Sequence, residues 1–460
     1  MIASLKRRWA EEAGYKQLLG VAFPLILSMG SHSVMMFVDR MFLSWYSPDA
    51  LAAAVPAGIL NFALICFFLG LTTYASTFVA QYVGAKRPER VGPSVWQGVY
   101  VALCGGILVP MTGPFAPQIF AFIGHAPEVQ ELEVPYFRIL NFFSFFFLAN
   151  AALSCFYSGR GRTWTIMWTN FLMTAINMVL DYGLIFGKFG LPEMGMAGAG
   201  LATLISAAII TILYVSLVCS PKNHQAFQTR TSWRYEKKLF LRLLKFGAPS
   251  GAQFFLDVMG FTIFVFLVGR IGKAELAASN VVMNINLLGL LPMIGLGIAT
   301  SILVGQYQGA QKSEMANKTT YSSLHLAILY SIGMAGIYLI LPGPLTAPFA
   351  QNFEGQAAED LFTTTAVLLR FFALIIFFDA IAIMTSSALK GAGDTRFVMI
   401  VLGITSVFIL IIPSYVAIEI FNVSVTFAWG CATFNLACVA ATFFFRFRSG
   451  LWKRFEVIER

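Results

Sequence analysis

Four aspartates lie within otherwise apolar stretches of the chain: Asp39, Asp181, Asp257 and Asp379. An ionised carboxylate near the middle of a bilayer costs about 2.5–3.5 kcal/mol on insertion scales, so a membrane segment that keeps one needs a partner, a water-filled cavity or a cargo. Basic residues are scarce beside these acids, and Arg40 is the local candidate for an ion pair. The four acids together therefore predict a transporter. A salt bridge or a helix cap is the alternative for any one of them.

Asn177 and Asp181 are four residues apart, so on a helix they share one face. The surrounding segment, 174–182, is otherwise largely apolar. A carboxylate and an amide carbonyl one turn apart can hold a hard cation such as Na⁺ through oxygen. They can equally hydrogen-bond a protonated acid, because burial favours the neutral form of a carboxyl group. The spacing predicts a site for a coupling ion and leaves H⁺ and Na⁺ open; polar packing between helices is the alternative.

These acids lie in a chain that is too apolar to be soluble. Its 460 residues are 58% hydrophobic and 12% charged, and a soluble protein of this composition could not cover its surface with polar groups. Apolar runs of about 20 residues or more predict an all-α integral membrane protein with about twelve transmembrane helices. The predicted helices span 17–46, 50–84, 92–115, 132–158, 163–187, 194–219, 240–270, 274–309, 317–341, 360–388, 395–418 and 423–447.

The distribution of charge predicts the orientation. The net charge is +9, and most basic residues fall in loops and tails on the side of the N-terminus, including Lys6, Arg7 and the segment 222–245. Acids dominate the opposite loops. By the positive-inside rule both termini are cytoplasmic, and the expected location is the cytoplasmic (inner) membrane. Topology accounts for the basic charge better than nucleic-acid binding does, so we expect no nucleic-acid partner.

The two halves of the chain repeat each other. Residues that recur at an offset of 225 are Pro24, Gln81 and Gly84, matched by Pro249, Gln306 and Gly309. Each half holds six predicted helices, so the halves form two six-helix bundles in one orientation, related by a pseudo-two-fold axis along the membrane normal. The predicted organisation is an N-terminal tail (1–16), an N-lobe (17–219), a cytoplasmic linker (220–239), a C-lobe (240–447) and a cytoplasmic tail (448–460).

Pro24 and Pro249 lie about one turn inside the first helix of each half. Proline removes a backbone hydrogen bond and kinks a helix, so the two positions predict hinges. A static kink near a helix start is the alternative for both.

Motifs of several other activities are absent from the sequence. There is no GxxxxGK[ST] phosphate loop through which the chain could use ATP, and no HExxH, GxSxG or His/Cys cluster for catalysis. The six cysteines show no metal-binding spacing. We expect a protein that is not an enzyme and that needs no cofactor beyond H⁺ or Na⁺ as coupling ion.

Short pieces of the chain, in order and nearly from end to end, resemble the multidrug and toxic compound extrusion (MATE) family. They are Phe37-Val38-Asp39, Val79-Ala-Gln-Tyr-Val-Gly-Ala, Asn177-Met-Val-Leu-Asp-Tyr-Gly-Leu-Ile-Phe-Gly-Lys-Phe-Gly, Gly198-Ala-Gly-Leu-Ala-Thr, Gly247-Ala-Pro and Leu389-Lys-Gly-Ala-Gly-Asp-Thr. Each piece alone is modest, and their order, spacing and duplication carry the resemblance. It implies a two-lobed antiporter that exports amphipathic, often cationic organic compounds in exchange for H⁺ or Na⁺.

The resemblance also implies where the coupling ions bind. The N-lobe ion site of the family corresponds to Asp39, Asn177, Asp181 and Thr203, with Na⁺ as the metal that the first three would hold. Its C-lobe acids correspond to Asp257 and Asp379. In one branch of the family a glutamate usually stands at the first of these two positions, and here Ile375 replaces an aromatic residue one turn before the second. These departures favour the N-lobe for ion coupling.

Other membrane functions compete with this interpretation. A related flippase for lipid-linked or polysaccharide precursors would need a cationic cavity for phosphates, whereas the charge at membrane depth is mainly acidic. A membrane-embedded enzyme lacks its motifs here, and a passive channel would be separated from an exchanger by counterflow. We expect organic cations and the lipid bilayer as partners, and a monomer.

Overall fold

The structure is a computed structural model that describes residues 8–124, 127–350, 355–421 and 423–459. The predicted all-α membrane fold is confirmed, since twelve helices in these ranges are long and apolar enough to cross a membrane. They are α1 (Tyr15–Tyr46), α2 (Pro48–Gly84), α3 (Pro88–Ile123), α4 (Pro127–Ser158), α5 (Thr163–Phe186), α6 (Gly195–Val218), α7 (Lys237–Ile271), α8 (Lys273–Gly309), α9 (Ser313–Ile340), α10 (Glu359–Ala392), α11 (Thr395–Glu419) and α12 (Val425–Arg448). Lys6 and Arg7 of the predicted basic tail lie outside the described residues.

Two of these helices change to 3-10 or π geometry beside a proline. In α3 the backbone tightens into a 3-10 turn at Pro110–Phe115 before the helix continues. In α11 it widens into a π-helical turn at Ser406–Ile411, directly before Ile412 and Pro413. Proline has no N–H to donate to the carbonyl one turn back, so the backbone beside it adopts a local 3-10 or π geometry.

The chain divides into two compact units. The N unit consists of Leu27–Ala252 and the residues from Val457 onward, and the C unit consists of Gln253–Glu456 and the residues up to Ile26. The division points therefore lie inside α1 and α7, two or three residues after Pro24 and Pro249. The lobe boundaries at 219 and 240, and the hinge role of the two prolines, stay predictions.

The first part of α7 packs closely against the N unit, and the first part of α1 packs closely against the C unit. In the N unit, α7 crosses α2 where a Cβ on Gly70 would lie 2.8 Å from the Cα of Gly251. In the C unit, α1 crosses α8 where a Cβ on Gly295 would lie 2.6 Å from the side chain of Ile26. Gly70 and Gly295 are related by the offset of 225 residues. The repeat therefore has a packing cause, because only glycine lets these backbones approach so closely.

Small side chains bring four helices of the N unit together next to the predicted ion site. A buried apolar cluster joins Leu43 of α1, Ala53 of α2, Ile185 of α5 and Ala199 of α6. Alanine at helix contacts allows close approach of the backbones in a membrane protein. This cluster holds α1, α5 and α6 at the spacing from which their polar side chains can meet.

Candidate ion-binding site

The structure brings together all four residues assigned to the N-lobe ion site. Asp39 lies on α1, Asn177 and Asp181 on α5, and Thr203 on α6. With its nitrogen towards the acids, the Asn177 amide donates to Asp39 Oδ1 at 3.0 Å and to Asp181 Oδ2 at 3.2 Å. The other end of the amide lies 3.4 Å from Thr203 Oγ1. Asn177 and Asp181 are completely buried.

The two carboxyl groups of this cluster form no ion pair with a basic side chain of the described chain. They lie close enough to hydrogen-bond each other when one carries a proton, and the buried Asp181 Oδ1 has no hydrogen-bond partner in the described chain. Arg40 follows Asp39 directly and is exposed, and it acts on Asp39 electrostatically without forming an ion pair among the described residues. Two like charges so close in a medium of low polarity favour uptake of a proton or a cation.

A row of polar contacts continues from this cluster along the same two helices. Asn170 Nδ2 on α5 donates to Ser28 Oγ on α1, and the hydroxyls of Thr174 and Ser31 lie 2.8 Å apart. We call these four residues the polar seam. Hydrogen bonds between membrane helices contribute about 0.6 kcal/mol each on average, so the seam fixes the register of α1 on α5 more than it stabilises the fold.

Tyr136 of α4 also belongs to the surroundings of the cluster and was not predicted. Its side chain lies within the electrostatic field of Asp39 and Asp181, and its ring packs against Gly200 of α6. Nothing in the local sequence distinguishes this tyrosine from the other aromatic residues of the chain. Only the contact between α4 and α6 in the structure places Tyr136 near the ion cluster.

The two C-lobe acids approach each other in the C unit. Gln253 Nε2 donates to Asp257 Oδ2 at 3.2 Å, and Lys390 attracts the same carboxylate electrostatically. Asp379 interacts with Asp257 and with Tyr338. The four predicted acids therefore form two pairs, each within its own unit. Each pair has one basic residue in its electrostatic field, Lys390 in the C unit and the exposed Arg40 in the N unit.

The described residues contain no group of three or more His, Cys, Asp or Glu side chains that could hold a metal ion. All six cysteines are free. The N-unit cluster differs from such a centre because it offers two carboxylates, an amide and a hydroxyl. Oxygen ligands of this kind suit H⁺ or a hard monovalent cation.

Twelve membrane-length helices in two compact units, each with a pair of acids within its helices, define a multi-pass membrane protein built like a transporter. The MatE family model matches residues 24–183 and 249–416, and the chain belongs to this family. The two matched segments begin at Pro24 and Pro249, so the model covers the repeat twice.

Two relatives and one solved structure are similar to this chain over most of its length. A probable multidrug resistance protein NorM of Thermotoga maritima is 25% identical over 459 residues, which cover 97% of this chain and 94% of the relative. The multidrug resistance protein NorM of Photobacterium profundum is 26% identical over 386 residues, 84% of this chain and 83% of the relative. A MOP superfamily transporter from Pyrococcus furiosus shares the fold, with a TM-score of 0.86, 19% identity and coverage of 98% and 99% of the two chains.

Proposed function

We propose that this protein is a secondary multidrug efflux antiporter, which exports amphipathic, often cationic organic compounds in exchange for H⁺ or Na⁺. The names of the relatives support the cargo class. The observation that carries the exchange is the Asn177 amide held between two carboxylates, neither of which forms an ion pair in the described chain. The same acidity disfavours the alternative, a flippase for lipid-linked or polysaccharide precursors, because phosphate cargo needs a cationic site.

The Asn177 amide suits both states that such an exchanger requires. With its nitrogen towards the acids it bridges two ionised carboxylates, at 3.0 and 3.2 Å, in the ion-free site. Turned end over end, it presents oxygen to the acids, while its nitrogen donates to Thr203 Oγ1. The hydroxyl of Thr203 in turn donates to the Ala199 carbonyl at 3.0 Å. Three oxygens then face a proton or Na⁺.

The proposed cycle uses competition between the ion and the cargo. An organic cation enters the ion-free protein from the cytoplasm, because the ionised acids attract it. After the binding site becomes accessible from outside, H⁺ or Na⁺ neutralises Asp39 and Asp181 and the attraction is lost. Each elementary charge that moves inward through 100 mV supplies about 2.3 kcal/mol. Export of one monovalent cargo cation costs the same amount, so entry of two ions, one for each acid, moves one net charge inward and can drive accumulation of cargo outside.

The proposed setting is a monomer in the cytoplasmic membrane with both termini in the cytoplasm. The basic loops on the side of the N-terminus support this orientation. No chemical conversion of the cargo is proposed.

Ethidium efflux in everted membrane vesicles tests the role of the acids. We expect Asp39→Asn and Asp181→Asn each to lower the initial rate at least tenfold, because an amide can neither release a proton nor bind a cation with charge. Asp49→Asn, which changes an exposed acid after α1, is the matched control and should transport normally. Wild-type rates in both site variants would remove the cluster from the mechanism.

The coupling ion is identified in the same vesicles. Na⁺ is varied at fixed pH, and the pH gradient is then collapsed at fixed Na⁺. Efflux that follows only the first change assigns Na⁺, and efflux that follows only the second assigns H⁺. Ethidium movement that responds to neither ion and shows no counterflow would contradict antiport.

A further inference from the structure

The carboxyl ends of α1 and α5 form an open pocket beyond the ion cluster. It has a volume of about 410 Å³ and is lined by Trp45, Tyr182, Phe186, Lys188 and Glu193. Trp45 follows Asp39 by six residues, which on a helix is about 9 Å along the axis. The proposed ion site does not use any of these five side chains.

One continuous segment, 177–190, contributes first to the ion site and then to this pocket. The segment 177–190 carries Asn177 and Asp181, then turns sharply where Gly187, Phe189 and Gly190 all have positive φ angles, of 64°, 60° and 76°. Left-handed backbone at a residue other than glycine is uncommon and marks a constrained turn. The turn places Lys188 and, a few residues later, Glu193 beside the aromatic rings.

Backbone hydrogen bonds hold this turn in place. The N–H of Lys188 donates to the Gly183 carbonyl at 2.9 Å, and the N–H of Met194 donates to the Leu184 carbonyl at 2.8 Å. Beyond it, Gly195 lies against the ring of Tyr46, so closely that a Cβ there would be 2.6 Å from ring carbon Cε1. The loop between α5 and α6 is therefore fixed to the ends of both α1 and α5.

The aromatic wall of the pocket is equally well defined. The ring of Phe42 lies 5.6 Å from that of Trp45, 5.9 Å from that of Tyr182 and 5.9 Å from that of Phe186. The rings of Tyr182 and Phe186 are 5.6 Å apart. Such spacing is typical of packed aromatic side chains that keep each other in position. Trp45 stays 63% exposed, so its ring is available to a ligand.

The two charges in the pocket remain available for a ligand. Lys188 and Glu193 are exposed, and neither forms an ion pair with the other or with any residue of the described ranges. A carboxylate beside aromatic faces attracts an ammonium group. A lysine ammonium attracts a phosphate or carboxylate. A site with a carboxylate, aromatic faces and a lysine ammonium matches a ligand that carries both a positive and a negative charge.

We propose that this pocket binds the zwitterionic headgroup of a membrane phospholipid, with its ammonium at Glu193 and the aromatic rings and its phosphate at Lys188. The position favours a lipid over a dissolved zwitterion. The pocket lies at the end of two membrane helices, where tryptophan and tyrosine sit at headgroup level. Phe189, 73% exposed beside it, offers apolar surface for an acyl chain. The inference does not depend on which ion or cargo the protein transports.

Binding of a short-chain lipid to the purified full-length protein tests the proposal. Dihexanoyl-phosphatidylethanolamine is titrated by calorimetry in dodecyl maltoside, and we expect one saturable site. Glu193→Gln, Lys188→Gln and Trp45→Leu should each weaken the affinity at least fivefold. Matched controls change similar exposed residues away from the pocket: Glu128→Gln, Lys273→Gln and Trp168→Leu, of which Trp168 is also 63% exposed.

A second lipid separates headgroup recognition from general attraction to the detergent-covered surface. Dihexanoyl-phosphatidylglycerol lacks the ammonium and should bind at least fivefold more weakly than the ethanolamine lipid. Equal affinities, no saturation, or equal losses in control and pocket variants would each overturn the proposal. Saturable binding of zwitterionic norfloxacin without any response to the lipid would also overturn it. These measurements need no ion gradient, so their outcome is separate from that of the efflux assay.

Discussion

At the scale of single residues, acids within the helical units of this protein serve in two opposite ways. Asp394 has a side chain only 3% exposed and accepts a hydrogen bond from Arg446 Nε at 2.7 Å. The same guanidinium lies 4.6 Å from the ring centre of Phe397. Asp39 and Asp181 form no such ion pair in the described chain, and the Asn177 amide lies between them. The first arrangement stabilises a fold, whereas the second keeps a charge available at a cost in stability.

This contrast predicts opposite effects of the same substitution. Asp394→Asn should lower the free energy of unfolding by about 1–3 kcal/mol, because it leaves Arg446 half-buried without its partner. Asp39→Asn should leave the free energy of unfolding unchanged or raise it, because it removes one of two adjacent like charges. Unfolding of the purified variants in ion-free buffer, followed by tryptophan fluorescence, gives both values.

Transport in the same two variants provides the control. Asp39→Asn should be stable and inactive, as expected where function costs stability. Asp394→Asn should transport normally per folded molecule. If Asp39→Asn unfolded more easily than the wild type, Asp39 would be a structural partner of Asn177 and not a site kept ready for an ion.

At the scale of helices, the polar seam sets the position of α1 on α5. Thr174 and Ser31 contact each other through their hydroxyls at 2.8 Å, and Thr174 also donates to the Ser31 carbonyl at 3.3 Å. A double-mutant cycle with Ser31→Ala and Thr174→Val isolates this pair. We expect a coupling energy of about 0.6 kcal/mol, and no more than about 1.7 kcal/mol, from unfolding in mixed micelles.

A second cycle shows whether that coupling is local. Ser216 of α6 bonds to the Ile212 carbonyl of its own helix at 2.9 Å, so Ser216→Ala should add to Thr174→Val without coupling. Zero coupling in the Ser31 cycle would mean that the seam does not hold α1 to α5.

The helices were predictable from sequence, but most of their contacts were not. Twenty-residue apolar runs identify membrane helices whatever they pack against. The pair Asn177 and Asp181 was predictable from spacing, because both lie on one helix face. Thr203 was assigned only by family resemblance, and Tyr136 and the seam were not predicted. Contacts between helices depend on their relative register, which periodicity within one helix does not contain.

The internal repeat contains one pair of matching polar residues from which a contact between helices could be predicted. Asn61 and Asn286 are related by the offset of 225 residues. In the structure, Asn61 Nδ2 donates to Asn141 Oδ1 at 3.0 Å, and Asn286 Oδ1 accepts from the hydroxyl of Tyr338 at 3.3 Å. A polar residue kept in both apolar halves predicts a contact between helices. The acids, which differ between the halves, do not follow that rule.

At the scale of the whole molecule, the predicted linker is a docked part of the N unit. It begins with a short helix, Pro221–Phe227, and Trp96 Nε1 of α3 donates to the Thr229 carbonyl at 2.8 Å. The Arg160 guanidinium lies 4.4 Å from the ring centre of Phe156 and 4.2 Å from that of Phe227. Burial, together with the nearby Arg162, lowers the pKa of Arg160 to about 10, so it is still a cation at neutral pH.

The docked linker should resist trypsin although it is rich in basic residues. Trp96→Phe keeps an aromatic ring, although a smaller one, and removes the N–H donor, which costs about 1 kcal/mol of docking free energy. Because cleavage of a rapidly opening segment follows the population of its open form, the rate after Arg230 and Arg234 should rise about fivefold. Timed digestion of everted vesicles, followed by mass spectrometry of the fragments, measures this rate.

The same digestion tests the proposed orientation of the protein in the membrane. Trp168→Phe changes an exposed tryptophan of α5 that is not involved in docking, and it should leave the cleavage rate at the wild-type value. Cleavage should occur in everted vesicles and not in right-side-out vesicles, because the proposed topology places the linker in the cytoplasm. Cleavage only in right-side-out vesicles would reverse the topology. Equal, fast cleavage of wild type and Trp96→Phe would show that the linker is undocked in the membrane, and docking through α3 would then be wrong.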